Sequence, residues 1–234
     1  GLVFVLCIGS GVVIGVISAA LKNMPALEDF EYRPIEATRI YDVNNKLIAQ
    51  LYVENRVWVP LSEMPKELQD AVIAVEDSKF REHHGIDFMG ILRAFLVDIR
   101  EGRIVQGGST ITQQLAKNAF LTHERTWTRK LQELLYAIQL ERTYTKDQIL
   151  ELYLNEVYFF PGQAVYGVEA AAQGYFGKSV RHLNLPESAL LAGIIRNAYI
   201  YSPTQHPESA KARRAVVLKR MALLGYISEE EAQS

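Results

Sequence analysis

The chain has 234 residues, of which 49% are hydrophobic and 22% charged, and its 25 Lys and Arg against 27 Asp and Glu leave a net charge of -2. This length is sufficient for one or two domains with a hydrophobic core, and the near balance of charge argues against a generally basic nucleic-acid-binding protein. The single cysteine, Cys7, excludes an intramolecular disulfide framework and a multi-cysteine zinc site.

The first 21 residues contain no charged side chain. As a helix they would be about 30 Å long, which matches the hydrocarbon core of a bilayer and predicts a transmembrane helix over residues 1–21. The alternatives are a cleaved signal peptide, with Ser18-Ala19-Ala20 as a weak cleavage motif, and a buried core helix. Residues 22–60 are predicted to be a linker with short β-strands at Thr38–Asp42, Leu47–Val53 and Arg56–Val59.

After Pro60 the hydrophobic pattern is helical almost to the end, so the body is predicted to be mostly α. In a helix over Lys66–His83, Glu76 lies about 80° from Leu68, inside the apolar arc. Burial raises the pKa of a carboxyl group and makes it a better proton acceptor near neutral pH. Glu76 is therefore a candidate general base, and the alternative is a rim carboxylate paired with a nearby Arg or His.

Two segments between residues 88 and 117 have distinctive compositions. Phe88–Val97 is strongly apolar with scattered arginine, which indicates either a core helix or a surface helix that dips into the bilayer. Gly107–Lys117 has the composition of a loop that enters a helix, and the free N–H groups at such an entry suit an anion. It is not a Walker motif, because the Gly-Lys-Ser/Thr ending is missing.

A helix is predicted over Glu124–Arg142, with an apolar stripe formed by Trp127, Leu131, Leu134 and Ile138. Arg125, Arg129 and Glu133 are spaced i, i+4, i+8 on another face, beside Lys130. They form either a solvated face with an ordinary ion pair or a site for an anionic group such as a diphosphate. Four cations nearer the end are interpreted as a solvated or lipid-headgroup face: Arg213, Arg214, Lys219 and Arg220.

Five sequence blocks follow one another in order. They are ED-x-x-F-x-x-H-x-G at Glu76–Gly85, GSTITQQ at Gly108–Gln114, RK-x-x-E at Arg129–Glu133, K-x-x-I-L-x-x-Y-L-N at Lys146–Asn155 and R-x-x-x-V-L at Arg213–Leu218. Together they resemble the signature of the peptidoglycan glycosyltransferases (family 51), a domain of class A penicillin-binding proteins and of monofunctional transglycosylases. The resemblance extends over residues 61–234, which are expected to be the glycosyltransferase domain.

The resemblance implies a fold and a reaction. The expected fold is a lysozyme-like, all-α catalytic lobe with a smaller membrane-facing lobe around residues 85–125. In the implied reaction the 4-hydroxyl of lipid II attacks the anomeric carbon of the growing glycan chain, and polyprenyl diphosphate leaves with inversion. Glu76 matches the family's general base. The implied location is the bacterial inner (cytoplasmic) membrane, with a single span and the catalytic domain on its outer face.

The resemblance also assigns roles to other residues. Glu133 matches the family's second catalytic carboxylate, near the diphosphate, with a divalent cation (Mg²⁺ or Mn²⁺) as an expected cofactor. Asp77 is expected to organise the site rather than to accept the proton. No metal ligands are assigned and no organic cofactor is expected. The expected substrate-binding residues are Asp77, Ser109, Gln113, Gln114, Lys117, Arg125, Arg129 and Lys130.

The expected partners are lipid II, the growing glycan chain, membrane lipids and a C-terminal transpeptidase domain that is absent from this chain, with no nucleic acid. The alternative function is a membrane-anchored, lysozyme-like glycan hydrolase or lytic enzyme, which would also use a carboxylic acid at a sugar bond. The cations beside Glu133 have no evident role in cleaving an uncharged glycosidic bond. A third alternative, a non-enzymatic scaffold for cell-wall assembly, predicts that Glu76→Gln changes nothing.

Overall fold

The computed structural model describes residues 38–41, 43, 47–51, 55–101, 108–121, 126–160 and 165–233, and these are mostly helical, as predicted. The strands are β1 (Thr38–Tyr41), β2 (Leu47–Leu51), β3 (Asn55–Arg56) and β4 (Val165–Tyr166). The helices are α1 (Lys66–Glu76), α2 (Phe88–Glu101), α3 (Ile111–Phe120), α4 (Trp127–Thr143), α5 (Lys146–Glu156), α6 (Val168–Phe176), α7 (Leu185–Ile195) and α8 (Pro207–Leu223).

The predicted transmembrane helix is not among these elements. Residues 1–37, which include the predicted transmembrane helix over 1–21, lie outside the described residues. Within the described ranges, no helix combines the length and apolar character needed to cross a bilayer. The proposed domain boundaries and the division into two lobes stay predictions.

The short strands were largely predictable. Strands β1 and β2 pair antiparallel, as a hairpin requires, with Thr38 opposite Leu51. The third strand was predicted at Arg56–Val59 but lies at Asn55–Arg56. It pairs parallel with β4, a segment far along the chain, and a local pattern cannot reveal such a partner.

Helix α1 is shorter than predicted. It begins after Pro65 and ends at Glu76, so the prediction that it continues to His83 was wrong. The helix ends because Asp77 takes an extended backbone (φ -159°, ψ 78°) and its carboxylate accepts a hydrogen bond from the backbone N–H of Ile111. Glu76 is therefore the last helical residue of α1, where its side chain is half-buried.

The core is formed by two sets of packed helices. Helix α3 packs against α4 and α5, and α7 packs against both α1 and α8. The largest fully buried side chains come from both sets and from the connecting segments, and include Leu68, Phe80, Leu115, Leu140, Tyr153, Phe159 and Leu191. Helix α7 is apolar on nearly all sides, as expected of a helix covered by others.

The predicted loop-to-helix entry before α3 is confirmed. Thr110 caps the helix: its hydroxyl accepts a hydrogen bond from the Gln113 N–H, and its own N–H donates to the Gln113 side chain. The Thr110 hydroxyl also donates to the Gly85 carbonyl at 2.7 Å. Gly85 has φ +85°, and a Cβ there would lie 2.9 Å from the Ala137 carbonyl oxygen. Only glycine fits this approach, which ties the segment after α1 to α3 and α4.

Helix α4 buries a different face from the predicted apolar stripe. Trp127, the first residue of that stripe, is 93% exposed. The buried residues are Glu133, Tyr136, Ala137 and Leu140. Helix α3 covers this face, and the Tyr136 ring stacks on Phe120 with the centroids 5.2 Å apart.

Candidate active site

Glu76 occupies one wall of a pocket of about 410 Å³. Its Oε2 atom accepts a hydrogen bond from Nε2 of Gln114 at 3.0 Å, and Oε1 of Gln114 accepts one from the Tyr153 hydroxyl at 2.9 Å. Burial raises the pKa of the Glu76 carboxyl, while the Gln114 hydrogen bond and the charges of Arg213 and Arg196 act in the opposite direction. The predicted general base is therefore a carboxylate whose surroundings favour proton uptake.

Most of the pocket's cations were missed at the sequence level. Arg213, Lys219 and Arg220 line the Glu76 pocket. The interpretation of the cations at the end of the chain as a solvated or lipid-headgroup face was wrong for the partly buried Arg213 and Arg220, whereas Lys219 is exposed as expected. Arg196, just after α7, also lines the pocket. A signal existed: Arg213 and Arg220 are seven residues apart and so share one face of a helix.

Close packing of α7 and α8 sets the position of one of these cations. A Cβ on Gly193 of α7 would lie 3.0 Å from Cγ of Arg213, so the glycine leaves room for the arginine stem. The Arg213 guanidinium lies over the Tyr201 ring, 5.6 Å from its centroid. Arg220 is anchored by donating to the Ala74 carbonyl and the Ser78 hydroxyl, at 3.3 and 3.4 Å.

Asp77 lies beside Glu76 but has a different set of contacts. Its two carboxylate oxygens lie 3.0 and 2.9 Å from Nε2 of His83, and one of them also accepts from the Ile111 N–H at 3.0 Å. The residue is 8% exposed. These contacts support the expectation that Asp77 organises the site, because it joins the end of α1 to the start of α3, which carries Gln114.

Glu133 is the centre of a second charged cluster. It is 3% exposed and forms ion pairs with Nη1 of Arg129, at 3.1 Å, and with Nζ of Lys130. The Lys130 ammonium also donates to the Ser109 hydroxyl at 3.1 Å. The i, i+4 pairing of Arg129 with Glu133 was predicted, and its burial argues against an ordinary solvated face.

Lys117 is close enough to both carboxylate centres to be affected by their charges. Burial lowers the pKa of its ammonium group, the nearby charge of Glu133 raises it, and Arg129 and Lys130 lower it further. Glu76 also raises it, so this one cation is electrostatically coupled to both carboxylates. Ser109 provides a second connection, because it lines the Glu76 pocket and accepts from Lys130.

The structure thus brings together most of the predicted site residues. Those that line the pocket are Glu76, Asp77, Ser109 and Gln114, and those of the adjoining cluster are Lys117, Arg129, Lys130 and Glu133. Gln113 is placed elsewhere: it is 1% exposed and its side-chain oxygen caps α3. Arg125 lies outside the described residues. Substrate contact by any of these residues stays a prediction.

The expected divalent cation can be tested against the residues present. In the described ranges, no group of three or more His, Cys, Asp or Glu could hold a metal ion. Both carboxylate oxygens of Glu133 are occupied by Arg129 and Lys130. This donor set does not fit a metal ion held by the protein alone.

The arrangement has a clear chemical capability. A half-buried carboxylate at a cation-lined pocket can accept a proton from a hydroxyl group. Next to it, a cluster of ammonium and guanidinium groups can stabilise a diphosphate on which negative charge develops. Such a site suits a reaction that deprotonates an alcohol and releases a phosphate-bearing leaving group.

Comparisons with known proteins agree with this chemistry. A family model described as Transglycosylase matches residues 44–222. Penicillin-binding protein 1A of Aquifex aeolicus is 49% identical over 211 residues, which are 90% of this chain and 29% of that protein. Penicillin-binding protein 1F of Bacillus subtilis is 47% identical over 219 residues (94% and 30%), and penicillin-binding protein 1A of Escherichia coli is 45% identical over 228 residues (96% and 26%). The chain therefore spans less than a third of the length of these relatives.

Proposed function

The chain belongs to the transglycosylase family of peptidoglycan glycosyltransferase domains, and from this premise we propose that it polymerises lipid II into glycan strands. Glu76 acts as general base on the 4-hydroxyl of the acceptor sugar. The hydroxyl oxygen attacks the anomeric carbon of the donor chain with inversion, its proton passes to Glu76, and polyprenyl diphosphate leaves with the bonding electrons.

One observation carries the proposal: a half-buried carboxylate, Glu76, faces a cation-lined pocket that adjoins a second cationic cluster around Glu133. A hydrolase acting on a neutral glycan needs the acid group but not the cations. A diphosphate leaving group needs both, because it carries concentrated negative charge in the transition state. Lys117, Arg129 and Lys130 are the groups we assign to the diphosphate.

The surface of α2 supports a substrate carried on a lipid. Large apolar side chains of this helix face solvent, with exposed fractions between 39% and 74%: Phe88, Met89, Ile91, Leu92 and Ile99. Trp127, at the start of α4, is also exposed. An apolar helix surface together with an exposed aromatic side chain suits contact with acyl chains and their interface. We assign α2 to the membrane surface, on the outer face of a bacterial inner membrane.

The relatives extend well beyond the matched region and are named for penicillin binding. We therefore propose that the glycan made here is passed to a penicillin-binding transpeptidase domain of the same protein.

The test is polymerisation of purified lipid II in detergent or vesicles, with products separated by length. Glu76→Gln keeps the size of the side chain and removes the base, so we expect a rate reduced about 10²–10⁴-fold with an unchanged fold by circular dichroism. Glu67→Gln is the matched control, because Glu67 is an exposed glutamate on the same helix.

Each alternative predicts a different result. A glycan hydrolase shortens finished glycan strands and leaves lipid II unpolymerised. A non-enzymatic scaffold behaves in the same way before and after the Glu76→Gln substitution. Polymerisation by Glu76→Gln at the wild-type rate would overturn the assignment of the base.

A further inference from the structure

Tyr153 is a fully buried tyrosine in α5 whose hydroxyl group points toward the proposed base rather than toward solvent. The periodicity of this helix predicts only a packing role. In the structure the hydroxyl donates to Oε1 of Gln114 at 2.9 Å, and Nε2 of the same amide donates to Oε2 of Glu76 at 3.0 Å. The three side chains therefore form one continuous hydrogen-bonded chain that ends on the reacting carboxylate.

The direction of these hydrogen bonds determines how the Gln114 amide is oriented. A terminal amide can present either its NH₂ group or its carbonyl oxygen to a neighbour. Because the Tyr153 hydroxyl donates to the carbonyl oxygen, the NH₂ group is left facing Glu76. Burial raises the pKa of the Tyr153 phenol well above its usual value, so the group keeps its proton at neutral pH.

We propose that Tyr153 is a positioning residue for catalysis, which holds the Gln114 amide with its NH₂ group toward Glu76 and so keeps that carboxylate ionised and correctly oriented to accept a proton. The inference rests on the proposed role of Glu76 as general base. It assigns to α5 a part in the reaction in addition to packing.

The direction of the hydrogen bond determines whether the Glu76 pKa rises or falls when the Tyr153 hydroxyl is removed. Donation from an amide N–H favours the ionised carboxylate and opposes the effect of burial on the Glu76 pKa. When the phenol is removed, the amide is free to rotate, the donation is weakened, and the Glu76 pKa rises. The other charged or titratable groups that face Glu76 or line its pocket are unchanged by such a substitution: Asp77, Lys117, Arg196, Arg213, Lys219 and Arg220.

The experiment measures the Glu76 pKa directly in the intact chain. Glutamate is labelled with ¹³C at the side-chain carboxyl, the Glu76 resonance is identified by its loss in Glu76→Gln, and it is titrated in wild type and in Tyr153→Phe. We expect an upward shift of about 0.5–1 pH unit, which is about half of what the complete loss of one hydrogen bond to a charged group would give, because the bond is weakened rather than removed. The acidic limb of the kcat/KM profile for lipid II should move by the same amount, with the rate recovering at high pH.

Tyr175→Phe is the matched control. It removes a tyrosine hydroxyl that donates to the Phe159 carbonyl at 2.9 Å, away from Glu76. We expect it to leave the Glu76 pKa and the acidic limb unchanged. A substitution that only loosened the packing would lower the polymerisation rate at every pH.

A second variant tests whether Tyr153 acts on Glu76 through Gln114. Gln114→Ala removes the middle group and should raise the Glu76 pKa in the same direction, and adding Tyr153→Phe to it should give no further shift. The inference is overturned if folded Tyr153→Phe leaves the Glu76 pKa unchanged, if Tyr175→Phe shifts it equally, or if the two changes add independently. A Glu76 pKa shift in a chain that does not polymerise lipid II would overturn the proposed function but would still support the inference that Tyr153 positions Gln114 against Glu76.

Discussion

Replacing Asp77 by Asn isolates the contribution of the carboxylate that joins α1 to α3. The oxygens of Asp77 accept hydrogen bonds from Nε2 of His83 and from the N–H of Ile111. Asparagine has nearly the same size, and its one oxygen can take the place of the Asp77 oxygen that accepts from both groups. Its NH₂ group then replaces the second oxygen, 3.0 Å from Nε2 of His83. The variant therefore places a buried donor without an acceptor against the histidine and removes the negative charge beside it.

Burial of the two side chains determines how much unfolding free energy Asp77→Asn loses. The side chains of Asp77 and His83 are 5% and 9% exposed, so solvent cannot replace the lost acceptor. An unsatisfied buried donor costs about 1–3 kcal/mol. We expect Asp77→Asn to reduce the free energy of unfolding by about 1–3 kcal/mol, which in a chain of this size lowers Tm by roughly 2–12 °C.

Thermal unfolding followed by circular dichroism measures this loss, with Asp147→Asn as the control. Asp147 is 66% exposed and pairs with Arg81 at 2.9 Å, and such surface pairs contribute about 0–1 kcal/mol. Polymerisation should also fall in Asp77→Asn, because the start of α3 positions Gln114 against Glu76. If the two variants melted at the same temperature, the reasoning about the buried carboxylate would be refuted.

Two further predictions concern charge. Arg129→Ala and Lys117→Ala should each reduce kcat/KM for lipid II about 10–100-fold, the size of a lost hydrogen bond to a charged group. Lys66→Ala, on the exposed start of α1, is the control and should have little effect. Equal kinetics in all three variants would show that the cations only solvate a surface. Burial raises the pKa of Glu156 to about 8. The native state therefore resists an ionisation that the unfolded chain undergoes near pH 4.5. As a result, the stability of the wild type falls as pH rises from about 4.5 to about 8. Glu156→Gln should remove this slope and gain on the order of 1–4 kcal/mol over wild type between pH 5 and pH 9, measured by urea unfolding; parallel pH profiles would contradict it.

Local signals in the sequence accounted for much of the fold. The change from alternating strands to helical periodicity at Pro60 matches the structure. The loop-to-helix entry predicted within Gly107–Lys117 matches the start of α3, where Thr110 is the cap. These features depend on residues within one turn of each other, which is why a sequence reveals them.

The errors occurred where tertiary contacts decide the outcome. No glycine or proline ends α1; the end comes from the bond between Asp77 and Ile111, which are distant in the chain. The exposure of Trp127 follows from which face of α4 receives α3, and helical periodicity does not specify the neighbour. For Arg213 and Arg220 the spacing was visible, but the partner surface at the end of α1 was not.

The roles proposed for the two carboxylates follow from their different surroundings. Glu133 forms ion pairs with two cations, so it suits an anchor that orders Arg129 and Lys130. Glu76 is half-buried and contacted by a neutral amide, so it can gain and lose a proton without breaking an ion pair. Environments that separate two acidic groups in this way are the general means by which one site holds both a base and an electrostatic anchor. If the neutral contact is what makes Glu76 a base, then Gln114→Lys, which puts a cation there, should abolish polymerisation. This loss is expected even though the variant adds positive charge to a site proposed to bind a diphosphate.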